Sequence, residues 1–348
     1  MKDYQVFLVE NESIQYTFIM KELFSFALLA IAVSFFSQRF VFRKRIGLIS
    51  LGGIEIYVLG MLFSFVMKKE ILISITPIIF VILGFIGFLF GIQFNKQTVK
   101  DLTLDSFIYG FVISLQFFIF VFVIHFVLPF NTIVLLSAIF SIPASYLVFK
   151  VKNERFILSI ELSTVIVGFY YCIMYFGFSG FLYALLFGLL AFLFVQFEKF
   201  FTDAELFVFL SSFLLIISGV SQLLHFSAIF SSMIFGMIIG LFSKFDYVNA
   251  VRNNFEQPMF LALLFLAGLH FAASFLTLLV FAMLLPVKLI IIFSVLKRKA
   301  TLLVPIGALS IAIAMESMSS KMATFTTILY FISITLFELF REKTKWDI

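Results

Sequence analysis

Cysteine, charge and catalytic motifs are all scarce in this chain. The single Cys172 of 348 residues cannot form an internal disulfide, so cysteine usage says nothing of the redox compartment. Charged residues make up 12% of the sequence, roughly half the share in a soluble globular domain, which excludes that class. His125, His225 and His270 are dispersed without metal-ligand spacing. There is no phosphate loop, nucleophile elbow or His-Glu zinc motif, so the reading is of a protein that is not an enzyme and carries no cofactor or metal. Period-2 alternation of apolar and polar residues is missing too, which argues against a membrane barrel. The first residues carry Asp3, Glu10 and Glu12 where a cleaved signal would need its apolar core. Past Phe340 only REKTKWDI follows, too little for a soluble domain.

What is present is hydrocarbon. Hydrophobic residues are 63% of the chain and the mean hydropathy is +1.18. Apolar runs long enough for ~30 Å of bilayer core recur along it, so the expected fold class is all-α, a polytopic membrane protein. The 55 phenylalanines are read as lipid-compatible composition rather than as an aromatic binding surface. Thirteen spans are expected: Leu23–Phe40, Ile46–Met67, Ile71–Gln93, Ser106–Leu128, Asn131–Lys150, Arg155–Phe176, Ser179–Phe197, Glu205–Leu224, Phe226–Ser243, Gln257–Leu276, Thr277–Lys297, Ala300–Ser317 and Met322–Phe340. Charge tests that count. Eighteen of the 24 Lys and Arg fall in loops after odd-numbered spans and in the C-terminal tail, five on the other side, and Lys288 inside a span. By the positive-inside rule the N-terminus is outside and the C-terminus cytoplasmic, in a multi-pass protein of the cell inner membrane. The basic excess, a net +5, then faces anionic lipid rather than nucleic acid. The chain divides into an extracytoplasmic segment (1–22), one transmembrane domain (23–340) and a short cytoplasmic tail (341–348).

Two interruptions organise the transmembrane domain. Pro143 breaks the fifth span within SIPAS, and Glu161 lies inside the next span. An interrupted backbone and an ionisable side chain both need protein or water around them in hydrocarbon, although Pro143 as a simple kink and Glu161 as a boundary residue would also satisfy the pattern. Pro305 and Gly307 interrupt the twelfth span, seven spans later. Because seven is odd, the two broken helices run in opposite directions, as in an inverted repeat (about 23–176 and 205–340) with its site where the two discontinuous helices cross. Two more deep charges join Glu161. Lys288, about eleven residues from either end of its span, is expected in a buried ion pair, with snorkelling as the plain alternative. Glu55 is either a site residue or a neutral carboxyl hydrogen-bonded within the bundle. Gly87 with Gly91 and Gly236 with Gly240 have the small-xxx-small spacing of close helix packing.

The order of motifs resembles the monovalent cation:proton antiporter superfamily, in its thirteen-span bacterial Na+/H+ antiporter and K+ efflux branch. IGLISLGGIEI is similar to the early glycine-rich span, and LGFIGFLFGIQFNKQTVK to the run that closes on an acid, here Gln93. SAIFSIPAS resembles the broken fifth span, with Ile142 between Ser141 and Pro143. FSAIFSSMIFGMIIG and QPMFLALLFLAGLHF resemble later glycine-rich and Phe-rich runs, LPVKLIII places Lys288 at the intramembrane lysine, and AMES places Glu316 at an Arg-Gly-Glu position. The resemblance implies a homodimer that moves monovalent cations against protons. Its ion- and proton-coupling residues would be Glu161, Lys288 and Glu55. Ser141, Pro143, Pro305 and Gly307 would form the helix breaks, and Ser163, Thr164 and Glu316 would support them. The departures are as specific. The family carries an acidic pair on the sixth span; here either Glu161 takes its first place with Leu162 in the second, or Glu161 lies upstream and Val165 and Ile166 hold both places. Two functions therefore stand: exchange of Na+ or K+ for protons by alternating access, or a transport-inactive scaffold or partner subunit descended from such a transporter.

Overall fold

The computed structural model describes residues 53–67, 74–100, 102–125, 128–142, 154–243, 245–272, 288 and 307–344, and every element among them is helical. In chain order these are α1 (Ile54–Val66), α2 (Thr76–Gly91), the short α3 (Lys96–Lys100), α4 (Leu104–Ile124), α5 (Phe130–Ser141), α6 (Glu154–Phe197), a 3-10 turn (Glu198–Phe200), α7 (Asp203–Leu224), α8 (Ala228–Phe242), α9 (Phe245–Leu269), α10 (Ala308–Glu316) and α11 (Ser320–Thr344). Leu104–Ile124, Ser159–Phe197 and Glu205–Leu224 are long and apolar enough to cross a membrane, and the other apolar helices are shorter. Leu23–Phe40, and Thr277–Lys297 apart from Lys288, lie outside the described residues.

Local chemistry sets the ends of these helices. Thr202 and Glu205 form a reciprocal capping box at the start of α7, with the Thr202 N–H donating to Glu205 Oε2 over 2.8 Å and the Glu205 N–H to Thr202 Oγ1 over 3.4 Å. Pro77 occupies the first turn of α2, where its missing N–H costs nothing. Within α6 the chain turns at Gly177, whose φ of 79° and ψ of 177° only glycine adopts readily. That break divides α6 into residues 154–176 (α6a) and 178–197 (α6b), at the junction expected between the sixth and seventh spans. The tenth span is expected from Gln257, and the helix there, α9, starts earlier, at Phe245, and carries Pro258 in its interior. The polar residues ahead of the apolar run, among them the ion-paired Arg252 and Glu256 at 3.2 Å, continue the same helix.

Contacts give the helix directions. A Cβ on Gly91 of α2 would lie 2.9 Å from the Gly236 Cα of α8 and against the Met233 carbonyl, while one on Gly87 would meet the Ile229 carbonyl. Earlier residues of α2 meet earlier residues of α8, so the two are parallel. The same holds for α1 and α9, where a Cβ on Gly60 would reach 3.1 Å from the Gly268 Cα, and Gly53 faces Leu261 and Leu264. Both pairs use glycine to bring backbones into contact, as the spacing of Gly87, Gly91 and Gly236 predicts. In contrast, α6b follows α8 in parallel (Tyr183 on Phe226, Phe192 on Phe242), and α6a runs back along it (Phe169 on Phe230). The main buried cluster joins α1, α2, α4, α5, α6a, α8, α9, α10 and α11, while the outward sides of α4, α6b and α7 are apolar and exposed, for example Phe107, Phe122, Leu189 and Val208.

Candidate functional site

The end of α5 meets the start of α10. α5 stops at Ser141 and Ile142 turns extended (φ −86°, ψ 113°), as a residue before proline must. α10 begins after Gly307, also extended (φ −81°, ψ 162°). The Gly307 N–H donates to the Ile142 carbonyl over 3.3 Å. The Ser310 hydroxyl, fully buried, donates to the Ile139 carbonyl over 2.9 Å. These bonds satisfy carbonyls that the end of α5 leaves without helical partners, and they set the negative end of one helix dipole against the positive end of the other. Pro143 and Pro305 themselves lie outside the described residues, but their flanks Ile142 and Gly307 are in contact. Ser137 and Ser141, one turn apart on α5, are buried with hydroxyls that have no hydrogen-bond partner among the described residues.

Glu161 lies on α6a and is 7% exposed. It lines a cavity of about 10 Å³ together with Gln93, Thr164, Phe90, Phe94, Val165 and Met233, which is about the room one water needs. The charged group that acts on it is Arg252 of α9. Thr164 donates its hydroxyl to the Ile160 carbonyl over 3.0 Å, and Ser163 does the same over 2.7 Å, so Ser163 is tied to its own helix while Thr164 also borders the cavity. Gln93, standing where the resemblance would place an acid, is thus beside Glu161.

Lys288 is 1% exposed, and its Nζ has no hydrogen-bond partner among the described residues. The expected pairing of Lys288 with Glu161 or Glu55 is not found among the described residues. Glu55 is expected either at the site or as a neutral carboxyl within the bundle. Its helix starts only at Ile54, after Gly53 with φ 112°, so Glu55 occupies the first turn, where an acid suits the helix dipole, and it is exposed rather than joined to the interior carboxylates.

Glu316 has the fullest set of partners. At the end of α10 it is 5% exposed, and it accepts from the Ser227 hydroxyl at 3.1 and 3.0 Å through its two oxygens and from the Ile229 N–H at 3.1 Å. Ser227 in turn accepts the Phe230 N–H at 3.0 Å. A carboxylate from one helix and a serine cap together satisfy the free amides at the start of α8. The Tyr171 hydroxyl of α6a faces the same carboxylate without closing a hydrogen bond of ordinary geometry. The sequence ranks Glu316 only as a supporting residue, since nothing in it announces donors some ninety positions earlier. Neither a family model nor a curated protein matches this chain.

Proposed function

We propose that this chain is a secondary transporter of the inner membrane that exchanges a monovalent cation, Na+ or K+, for protons by alternating access. The observation that carries this reading is the end-to-end meeting of α5 and α10. Two helices interrupted in the membrane place carbonyls, amides and buried hydroxyls at one crossing, where an ion can be held without exposing unpaired backbone to lipid.

The helix directions support the thirteen-span count. If α1 and α9 are the second and tenth spans, and α2 and α8 the third and ninth, each pair is an even number of spans apart and should be parallel, as both are. The two pairs also map onto one another. Shifting by seven spans turns the second and tenth into the ninth and third, so the two glycine-sealed contacts are equivalent under an inverted repeat, and the α5–α10 crossing maps onto itself. Loop charge then gives the outside N-terminus and cytoplasmic C-terminus, and a homodimer completes the arrangement.

In this mechanism Glu161 is the exchanging carboxylate. It binds the cation with neutral oxygens from Thr164 and Gln93, and it releases that cation on taking a proton from the other side, one charge for one charge. Arg252 of α9 is a charged group whose field reaches this carboxylate. Lys288, away from Glu161, does not compete with the cation for it.

One observation favours the transport-inactive scaffold as a second reading: the cavity at Glu161 holds one carboxylate, with Gln93 opposite, in about 10 Å³. Proteoliposomes carrying a pH gradient separate the two. Proton flux driven by Na+, K+ or Li+ supports the transporter, and a folded protein that moves none of the three leaves the scaffold.

A further inference from the structure

The bonds at Glu316 join two bodies that are each fastened elsewhere. α8 is packed backbone to backbone on α2 through Gly91 and Gly236 and through Gly87 against the Ile229 carbonyl. α10 is hydrogen-bonded to the end of α5 through Gly307 and Ser310. Between these units stands the Glu316 carboxylate, held by neutral donors of the α8 start, the Ser227 hydroxyl and the Ile229 N–H, with the Ala228 N–H and the Tyr171 hydroxyl of α6a also facing it. We propose that Glu316 is a releasable latch that holds the crossing helices against the α2–α8 pair and fixes one access state until the carboxylate loses its charge.

The inference rests on the transporter reading, because it assumes that the crossing moves against the glycine-sealed pair. Any such movement must part α10 from α8, and the Glu316 bonds cross that boundary. A carboxylate accepts these bonds strongly, and a neutral carboxyl or amide in its place accepts fewer and weaker ones, so a change of charge is enough to loosen the grip. The titratable groups that face Glu316 are Tyr171, Cys172 and Tyr175, all from α6a. Within α8 and α10 there is no other ionisable residue, and Lys321 at the start of α11 is exposed. Glu316 is thus a positioning residue, apart from the ion-binding cavity at Glu161.

Cys172 is a built-in reporter. It is completely buried and packs with Ala184, Phe230 and Met233, and Phe230 follows directly on the latched Ile229. The rate of Cys172 modification by N-ethylmaleimide therefore reads the opening of the α8 start. Glu316→Gln should raise that rate about tenfold, since one lost charge-assisted hydrogen bond shifts an open population by about that factor, and Ser227→Ala should raise it less. Cys172→Ser removes the signal. A monodisperse Glu316→Gln protein labelled at the wild-type rate overturns the latch; if that variant does not fold, Ser227→Ala labelled at the wild-type rate overturns it equally. Flux is measured on the same samples. Faster labelling of the variant in a wild-type protein that moves no cation supports the latch and overturns only the transporter reading, whereas normal flux with unchanged labelling overturns only the latch.

Discussion

Glu161 and Glu316 are the same residue type, both inside apolar helices and nearly equal in burial, at 7% and 5% exposure. Their surroundings differ in kind. Glu316 is held by a hydroxyl and a backbone amide aimed at it from a helix start, whereas Glu161 borders a small cavity and feels Arg252. A buried carboxylate with aimed donors is part of the frame. One left facing a cavity is available to a ligand. Burial alone, which is what hydropathy reports, does not tell these two apart, and the neighbours do.

The sharpest test of this contrast removes each carboxylate. Glu161→Gln should abolish cation-driven proton flux in proteoliposomes while changing thermal stability by less than about 1 kcal/mol, because no aimed donor is lost. Residual coupled flux at the wild-type level would end the assignment of Glu161. Glu316→Ala should instead destabilise the folded protein by about 3 kcal/mol, since the Ile229 N–H and the Ser227 hydroxyl are then buried without a partner. Equal loss of stability in both variants, read by thermal unfolding in detergent, would erase the distinction.

Much of the frame was legible beforehand, and for identifiable reasons. Gly87, Gly91 and Gly236 announce close backbone contact because only a missing side chain permits it, and α2 and α8 do pack there. Pro143 and the pair Pro305 and Gly307 mark helix ends because proline cannot continue a hydrogen-bond ladder, and α5 and α10 end and begin beside them. Gly177 lies where the sixth span is expected to end at Phe176 and the seventh to begin at Ser179, and its positive φ breaks the helix there. The site was less legible. Sequence places Lys288 and Glu55 near the middle of their spans and Glu161 nearer an end, yet Glu161 borders the cavity and Glu55 lies in an exposed first turn. The donors of Glu316 come from Ser227 and Ile229, a contact that only the packing of α8 on α10 creates. Arg252 reads as a loop charge on the basic side, but the helix extends through it toward Glu161.

A finer cut tests the frame side of the contrast. Ser227→Ala removes one donor to Glu316 and the side-chain cap of α8 together, while the Ile229 N–H stays on the carboxylate. Its expected cost is about 1 to 2 kcal/mol, the range for a lost helix cap, and less than for Glu316→Ala. The two should be less than additive when combined, because both act on one set of bonds. Strict additivity in thermal unfolding would mean that Ser227 and Glu316 do not share that network.

The smallest effect belongs to Thr164, and it probes the ligand side. Its hydroxyl donates to the Ile160 carbonyl of its own helix, so in Thr164→Val the backbone bond of that carbonyl remains and the shape of the side chain is kept. Stability should move by less than about 1 kcal/mol. The hydroxyl oxygen also borders the cavity with Glu161 and Gln93, where a cation would use it as a neutral ligand. Losing one such contact should weaken apparent cation affinity by about threefold to tenfold, which corresponds to roughly 1 kcal/mol, with maximal flux unchanged since Glu161 still exchanges cation and proton. A rise in KM for the cation at constant kcat is the expected result. If KM stays at the wild-type value while Glu161→Gln remains inactive, the cation does not reach Thr164, and Glu161 carries a proton without holding the ion in this cavity.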